Sequence, residues 1–464
     1  MLVSSFCMRR LAVAVLLALA EAEEVIIKRD VCILGGGSAG TFAAVSLLDR
    51  GKTVVVVEPK DVLGGHTATR QFHNGSYIEL GVQGVFWDDL SAAYLERLRI
   101  HFKILRFKGS HTDYVDFKTG QKVTSRDGSS IPPLKLVPHI ILYSLALLKF
   151  SYLNKARYDE LPDPVPEELL RPFGEFAAKH KLQKPLVDFI FAFAGGVGNL
   201  FETPLLYVLQ NFGAPHVKAL MRGYITPVTG MHEVYSRAEE VIGRDNILFK
   251  SKAWGVVHQD DGTIAISITG GATVFAKQLL VAFPLTPENT EPLDLDESER
   301  ALFRKWRWKG FYSAIVNTTG MPDGLDVINE DPDQRHSLPL PPFLGQLQYM
   351  GVPGYHVGRL VADSDFEPRH AHYHILNDVL RMKNTYPDLT PEIVVIADHR
   401  PTSMSVSVED IRDGFYRRLY EMQGRRGVFY TGSSLCSDYS SVIWNYTAKV
   451  VNMMVGERRV TYGY

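Results

Sequence analysis

The stretch Asp30-Val-Cys-Ile-Leu34, running straight into Gly35-Gly-Gly-Ser-Ala-Gly40, decides the fold. Its first five residues read as a short buried strand. A helical stretch follows from Thr41 to Arg50, with Phe42, Val45, Leu47 and Leu48 as its apolar positions, and Gly51 ends it as a left-handed terminator. Thr53-Val-Val-Val-Val57 is then a continuous apolar strand suited to a parallel sheet covered on both faces. Glu58 closes it, eighteen residues after Gly40. Strand, glycine loop, helix, strand and acid in that order predict a βαβ unit that binds a dinucleotide.

Each position has a physical task. Gly35 permits the tight turn off the strand, Gly37 lets backbone approach a pyrophosphate, and Gly40 lets the helix pack closely on the strand. Ser38 and Ala39 stand at the helix N-terminus, whose free N–H groups and positive dipole end face the phosphates. Glu58, followed by Pro59, is placed to accept hydrogen bonds from the adenosine ribose. The loop alone does not separate NAD from FAD. The continuation does: Leu63-Gly64-Gly65-His66 extends past the acid, and Glu79-Leu-Gly81-Val82-Gln83-Gly84 comes next.

A second-strand acid followed by Leu-Gly-Gly and then Glu-x-Gly resembles the FAD enzymes of the amine-oxidase and phytoene-desaturase type. The resemblance implies that Gly64, Gly65 and His66 turn beneath the pyrophosphate and that Gly81 to Gly84 run along the flavin. Arg171-Pro-Phe-Gly-Glu-Phe176, Phe191-Ala-Phe-Ala-Gly-Gly-Val-Gly198, Tyr207-Val-Leu209 and Glu421-Met-Gln-Gly-Arg-Arg426 are similar to the bacterial polyunsaturated fatty acid isomerases. The Gly64-Gly-His-Thr-Ala-Thr69 loop, with an export-like start, resembles the fungal β-cyclopiazonate dehydrogenase family more closely still. That family implies non-covalent FAD and removal of a hydride from a carbon of an apolar metabolite.

Further along, residues 231–241 read as a helix with Met231, Val234, Ala238 and Val241 on one face. Residues 246–250, 253–257, 263–268, 273–276 and 278–282 read as strands, with turns at Asp260-Asp-Gly262 and Gly270-Gly271. The resemblance places the strand opening at Ala253 against the adenine. Near the end, Gly427-Val-Phe-Tyr-Thr-Gly432 is a strand with glycine at its tip, and Ser440 or Ser441 is expected to cap a helix over 442–454. In the resembled enzymes this helix start, here Ser441 and Val442, faces the flavin's pyrimidine edge. They carry an acid after the glycine, where this chain has Ser433.

The expected architecture is α/β: a Rossmann-like, amine-oxidase-type FAD domain from 23–95, 228–300 and 405–464, with a discontinuous α+β substrate domain from 96–227 and 301–404. Phe86, Trp87, Phe191 and Phe193 are candidate substrate contacts, because aromatic walls suit a flat or greasy ligand. The run from Ile140 to Leu148 is expected to be a buried helix or a wall of the substrate channel, with a membrane contact as the alternative. Pro138 and Lys149 bracket a stretch too short to cross a bilayer. Among titratable groups, His66 and Tyr446 are candidate bases, with Arg70 a weaker one; a hydride-removing flavin enzyme does not require any.

The remaining features bound the chemistry. A formal net charge of -2 gives no sign of the basic face that nucleic acid demands, so no nucleic-acid partner is expected. No Cys/His cluster has metal-ligand spacing, so no metal is expected. Cys32 sits mid-strand as a buried thiol, and Cys436 offers it at most one partner. Arg9 and Arg10, an apolar run over 11–20 and Ala20-Glu-Ala22 lay out a signal peptide over 1–22, predicting a secreted or secretory-pathway protein. Asn74, Asn317 and Asn445 begin Asn-x-Ser/Thr sequons, and Asn445 falls in the segment assigned to the cofactor. The functional expectation is an FAD-dependent dehydrogenase or oxidase acting on a small apolar secondary metabolite, with O₂ a candidate acceptor and ring closure a candidate outcome. The alternatives are a double-bond isomerase, which returns the hydride to its substrate, and a flavin-binding protein without turnover.

Overall fold

The computed structural model describes residues 25–106, 108–123 and 133–457, so the signal-peptide reading lies outside the described residues. β1 (Val25–Leu34), α1 (Ser38–Leu48) and β2 (Val54–Val57) form the expected βαβ unit, with β1 and β2 parallel. Val31 to Leu34 and all four valines of β2 are buried, as a sheet covered on both faces requires. Cys32 is among them, and burial pushes its thiol up to about 12. Gly51, at φ +71°, ends the helix as a left-handed residue.

The sheet is completed by β3 (Ile247–Leu248), β4 (Ala253–His258), β5 (Ile264–Ile268), β6 (Ala272–Val281) and β7 (Val428–Tyr430), in the order β3-β2-β1-β6-β5-β4, with β7 also on β6. Two expectations are corrected here. Residues 273–276 and 278–282 are one strand, because nothing between Ala276 and Gln278 turns the chain; the first part of β6 pairs antiparallel with β5 and the last part parallel with β7. The predicted strand over 246–250 shrinks to two residues, between a helical turn over Arg244–Asn246 and Lys250 at φ +52°.

A second, eight-stranded sheet is built mainly from Arg307–Thr319, Phe343–Tyr349, Tyr355–Asp363 and Thr390–Asp398, with His111–Asp116 reaching it from earlier in the chain. The helix Arg369–Arg381 packs Ile375 and Val379 into the core on one face of it. Helices between Pro133 and Arg222 form a third layer. The run from Ile140 to Leu148 is not the buried helix expected: Ile141, Leu142, Leu145 and Leu148 are exposed, and only its other face, with Tyr143 and Leu147, is sealed. Alternation of exposed and buried leucines is invisible to a reading that scores apolarity alone.

Candidate flavin and substrate sites

The cofactor cradle is built from backbone. The N-cap of α1 is Gly37, with no side-chain cap and no acid in the first turn, so the N–H groups that open α1 are left for an anion. A Cβ on Gly40 would collide with the Gly35 carbonyl oxygen, which fixes glycine there. Gly37 rests on the Gly64–Gly65 turn: a Cβ on Gly65 would sit 3.0 Å from Gly37 Cα, at a φ of +58°. Glu58 is buried at the tip of β2, where its Oε2 accepts the Gly36 N–H at 2.8 Å and its Oε1 the Lys60 N–H at 2.9 Å. Ser38 Oγ, beside Tyr235, is buried without a well-formed hydrogen bond. An uncapped helix start, an unsatisfied hydroxyl and a glycine-on-glycine contact fit a diphosphate.

The flavin end joins parts distant in sequence. Gly84 touches the carbonyl of Ile225, which a Cβ would approach to 2.8 Å. Gln83 Nε2 donates to Gln348 Oε1 at 2.9 Å, and Arg359 donates to the same oxygen at 2.7 Å, tying this strip to the second sheet. The C-terminal helix spans Ser440–Met454, so its N-cap is Tyr439 and not a serine. Ser441 is already inside the first turn, where its Oγ accepts the Phe86 N–H at 2.8 Å and the Ser91 hydroxyl at 3.0 Å. Val442 is buried beside it, and Ala253 opens β4 as expected. These residues would hold FAD between the α1 start, the 81–84 strip and the start of the last helix.

Next to this cradle lies a cavity of about 980 Å³. Its walls come from the helical layer (Tyr158, Tyr207, Gln210), the start of the second sheet (Trp306, Lys309), the strand Thr402–Ser405, and the loop after β7 (Ser433, Cys436, Ser437, Asp438). Tyr207 braces it: its hydroxyl accepts the Val406 N–H at 2.8 Å and the Tyr416 hydroxyl at 3.0 Å. Trp306 Nε1, Gln210 Oε1 and Ser437 Oγ are buried on this wall without partners. Such groups are satisfied by a ligand with its own donors and acceptors. Lys309 is ion-paired with Asp363 at the same wall. Desolvation raises the Asp438 carboxyl, and no Lys, Arg or His ion-pairs with it among the described residues.

The candidates from sequence fare unevenly. Phe86 and Phe193 belong to one aromatic group: Phe86 lies 5.5 Å from Tyr224 and from Tyr439, and Phe193 lies 6.4 Å from Tyr224. Phe191 packs on Phe343, whereas Trp87 is exposed. None of the four lines the large cavity. His66 does not titrate near neutral pH; desolvation and the neighbouring His399, 5.5 Å away, push it down to about 3. Tyr446 is a core residue: it is buried, accepts Gln423 Nε2 at 2.9 Å, and burial drives its hydroxyl well above the ordinary range. Arg70 is exposed on the short strand Thr69–Gln71. Sequence reasoning passed over Trp306, Lys309 and Asp438. Asp438 carried a signal, an acid two residues before the final helix beside the expected flavin end.

With this geometry in place, comparisons with known proteins give its kinship. Residues 38–320 match the family described as flavin containing amine oxidoreductase. The chain is 38% identical over 434 residues to β-cyclopiazonate dehydrogenase of Aspergillus oryzae, covering 92% of this chain and 93% of that one. It is 31% identical over 442 residues to the FAD-dependent oxidoreductase oblC of Cochliobolus heterostrophus, covering 91% and 90%. Among solved structures it is similar to a CLA-producing fatty acid isomerase from P. acnes, with a TM-score of 0.74, 18% identity, and coverage of 92% and 98%. A putrescine oxidase variant gives a TM-score of 0.67 at 16% identity, covering 93% and 99%. An α/β fold of the amine-oxidase type, a backbone cradle for a dinucleotide and these relatives agree: the chain belongs to the flavin-containing amine oxidoreductase family and is an FAD-dependent oxidoreductase.

Proposed function

We propose that this enzyme oxidises a small, largely apolar secondary metabolite, removing a hydride from carbon, with FAD held non-covalently. The observation that carries the reading is the cavity beside the 433–438 loop, whose aromatic wall of Tyr158, Tyr207, Trp306 and Trp308 stands beside five carboxylates, among them the desolvated Asp438. The bound isoalloxazine supplies the two-electron acceptor. The chain itself supplies orientation and a place for the proton. Tyr158, Tyr207 and Trp306 line the space for the apolar body. The Asp438 carboxylate, whose affinity for a proton desolvation raises, takes up the proton that the substrate loses with its hydride. Non-covalent binding is supported by the thiols: burial pushes both Cys32 and Cys436 up, so neither is a ready thiolate.

The export-like residues 9–22 support synthesis into the secretory pathway. Of the three sequons, Asn74 lies in an exposed turn, whereas Asn317 is half-buried within a central strand and Asn445 stands on the final helix, bonded to Arg157. Asn74 is therefore the proposed glycan site.

The test is spectroscopic. Purified protein should be yellow, and acid precipitation should release the flavin into the supernatant. β-Cyclopiazonate is the first probe, because the 38% identical relative is named for it. Anaerobic mixing with β-cyclopiazonate, then with a panel of apolar metabolites, should bleach the flavin, and the bleaching should persist until O₂ is admitted. Colour that returns without O₂ as product forms would replace oxidation by isomerisation. Colourless, folded protein that refuses added FAD would overturn the reading.

A further inference from the structure

We propose that the helix Pro133–Leu147 docks this protein onto an anionic lipid surface, lying in the plane of the headgroups without crossing the bilayer. The inference is independent of the substrate reading. Val137, Ile141, Leu142, Leu145 and Leu148 are between 47% and 70% exposed. At 3.6 residues per turn their spacing places them within an arc of about 140°. The opposite side is anchored: Tyr143 and Leu147 are buried, and the Tyr143 hydroxyl donates to the Phe212 carbonyl at 2.6 Å. The helix is thus apolar on both faces, and the protein covers only one. A helix hydrophobic all round belongs in a core or in lipid, and contiguous apolar surface of this kind marks an interaction site.

Length and charge choose the occupant. Fifteen helical residues span about 22 Å, short of the ~30 Å hydrocarbon layer, so the helix lies on a membrane and does not traverse it. From Gly128 to Tyr158 the sequence contains no Asp or Glu; beyond it Asp159 and Glu160 pair with the buried Arg157 and with Lys155, so the cation that serves the stripe is Lys149. Lys149 stands just beyond the end of the helix, so the apolar stripe ends on a cation. Lys149 and Lys179 share Glu168, which leaves that end net positive. The helix Ala214–Arg222 packs beside this one and exposes Met221, at 85%, together with Lys218 and Arg222. Apolar side chains flanked by lysines are the composition of interfacial helices, whose binding adds burial to attraction for acidic headgroups.

The test uses the full, flavin-loaded protein and vesicles of phosphatidylcholine, alone or with ~30% phosphatidylserine. Binding is expected to the mixed vesicles, weaker to phosphatidylcholine alone, and reduced about tenfold or more by L142S/L145S, since each change removes apolar area from the contact. L148S alone should give a smaller loss. All three positions are exposed, so the flavin spectrum and Tm should stay at their wild-type values, showing that the loss is not unfolding. Failure of wild type to sediment with either vesicle overturns the proposal, as does undiminished binding by L142S/L145S. A wild-type dimer in analytical ultracentrifugation that L142S/L145S converts to monomer also overturns it, assigning the stripe to a contact between copies.

Discussion

The cofactor cradle and the large cavity meet at the loop after β7, yet they are made of different material. The cradle is backbone: Gly35, Gly37, Gly40, Gly64 and Gly65 are within thirty-one residues of one another, and what matters is the side chain each lacks. The cavity is side chains, and its walls come from Tyr158, Tyr207, Trp306, Lys309 and Asp438, spread over most of the chain. A site that holds a fixed, shared cofactor can be built once from local spacing. A site that selects one metabolite is free to change residue by residue, provided the layers carrying it keep their packing. Substitutions in the cradle should therefore alter folding or cofactor content, and those in the cavity should alter turnover alone.

The largest effect expected is from Gly40→Val, which drives a branched side chain into the Gly35 carbonyl. It should cost about 4 kcal/mol or more, read as loss of soluble, flavin-bearing protein. Asp438→Asn should leave flavin content and Tm intact while turnover falls on the order of 10³-fold, the scale of a lost proton acceptor; unchanged turnover would return the proton step to solvent. Gly37→Glu should weaken FAD about 100-fold, or ~2.7 kcal/mol, by setting a carboxylate against the phosphates. Its fold should survive, because a Cβ there meets nothing closer than Gly65 Cα at 3.6 Å, so circular dichroism separates it from Gly40→Val.

A fourth prediction concerns the seam between the regions. Glu79 is buried, accepting the Thr69 hydroxyl at 2.6 Å and the Met231 N–H at 2.7 Å, and desolvation raises it from 4.5 to about 7. The native state then holds this proton more tightly than the unfolded chain. Its stabilisation is complete below pH 4.5 and is lost as pH rises to about 7. Glu79→Gln keeps a neutral group with the same acceptor, so urea unfolding should show the variant gaining up to about 3 kcal/mol on wild type across that window. The smallest effect belongs to Asn74→Gln. It should raise electrophoretic mobility of protein from a secreting host and shift stability by less than about 0.5 kcal/mol, as an exposed turn position allows.

Legibility in the sequence followed the same division. β1, α1 and β2 stand in the order read, with α1 opening three residues earlier and Glu58 at the tip of β2, because glycine spacing and a four-valine run are local and have few alternative structures. The final helix is legible, but neither Ser440 nor Ser441 is its cap; Ser441 serves instead as a tertiary acceptor for Phe86, which no local rule foresees. β6 was divided in two because strand length was inferred from apolar runs, whereas its extent is set by having partners along its whole length. His66 is a candidate base in the sequence, but burial, and His399 from 333 residues away beside it, leave it unprotonated near neutral pH, which no local pattern shows. Trp306 and Lys309 gave no signal, since an aromatic or a lysine at a strand start usually has no more than a packing or solvent role.

The Ser441 hydroxyl has one more consequence. It fastens the last helix to Phe86 and Ser91, and that helix also stacks Trp444 on Phe42 of α1 at 6.2 Å, while β7 borders β6. The nucleotide-binding half therefore lacks one wall until the ribosome has translated past residue 450, however early its glycine loop was made. A nascent chain of this protein has to wait, with its oldest segment unfinished, for its youngest.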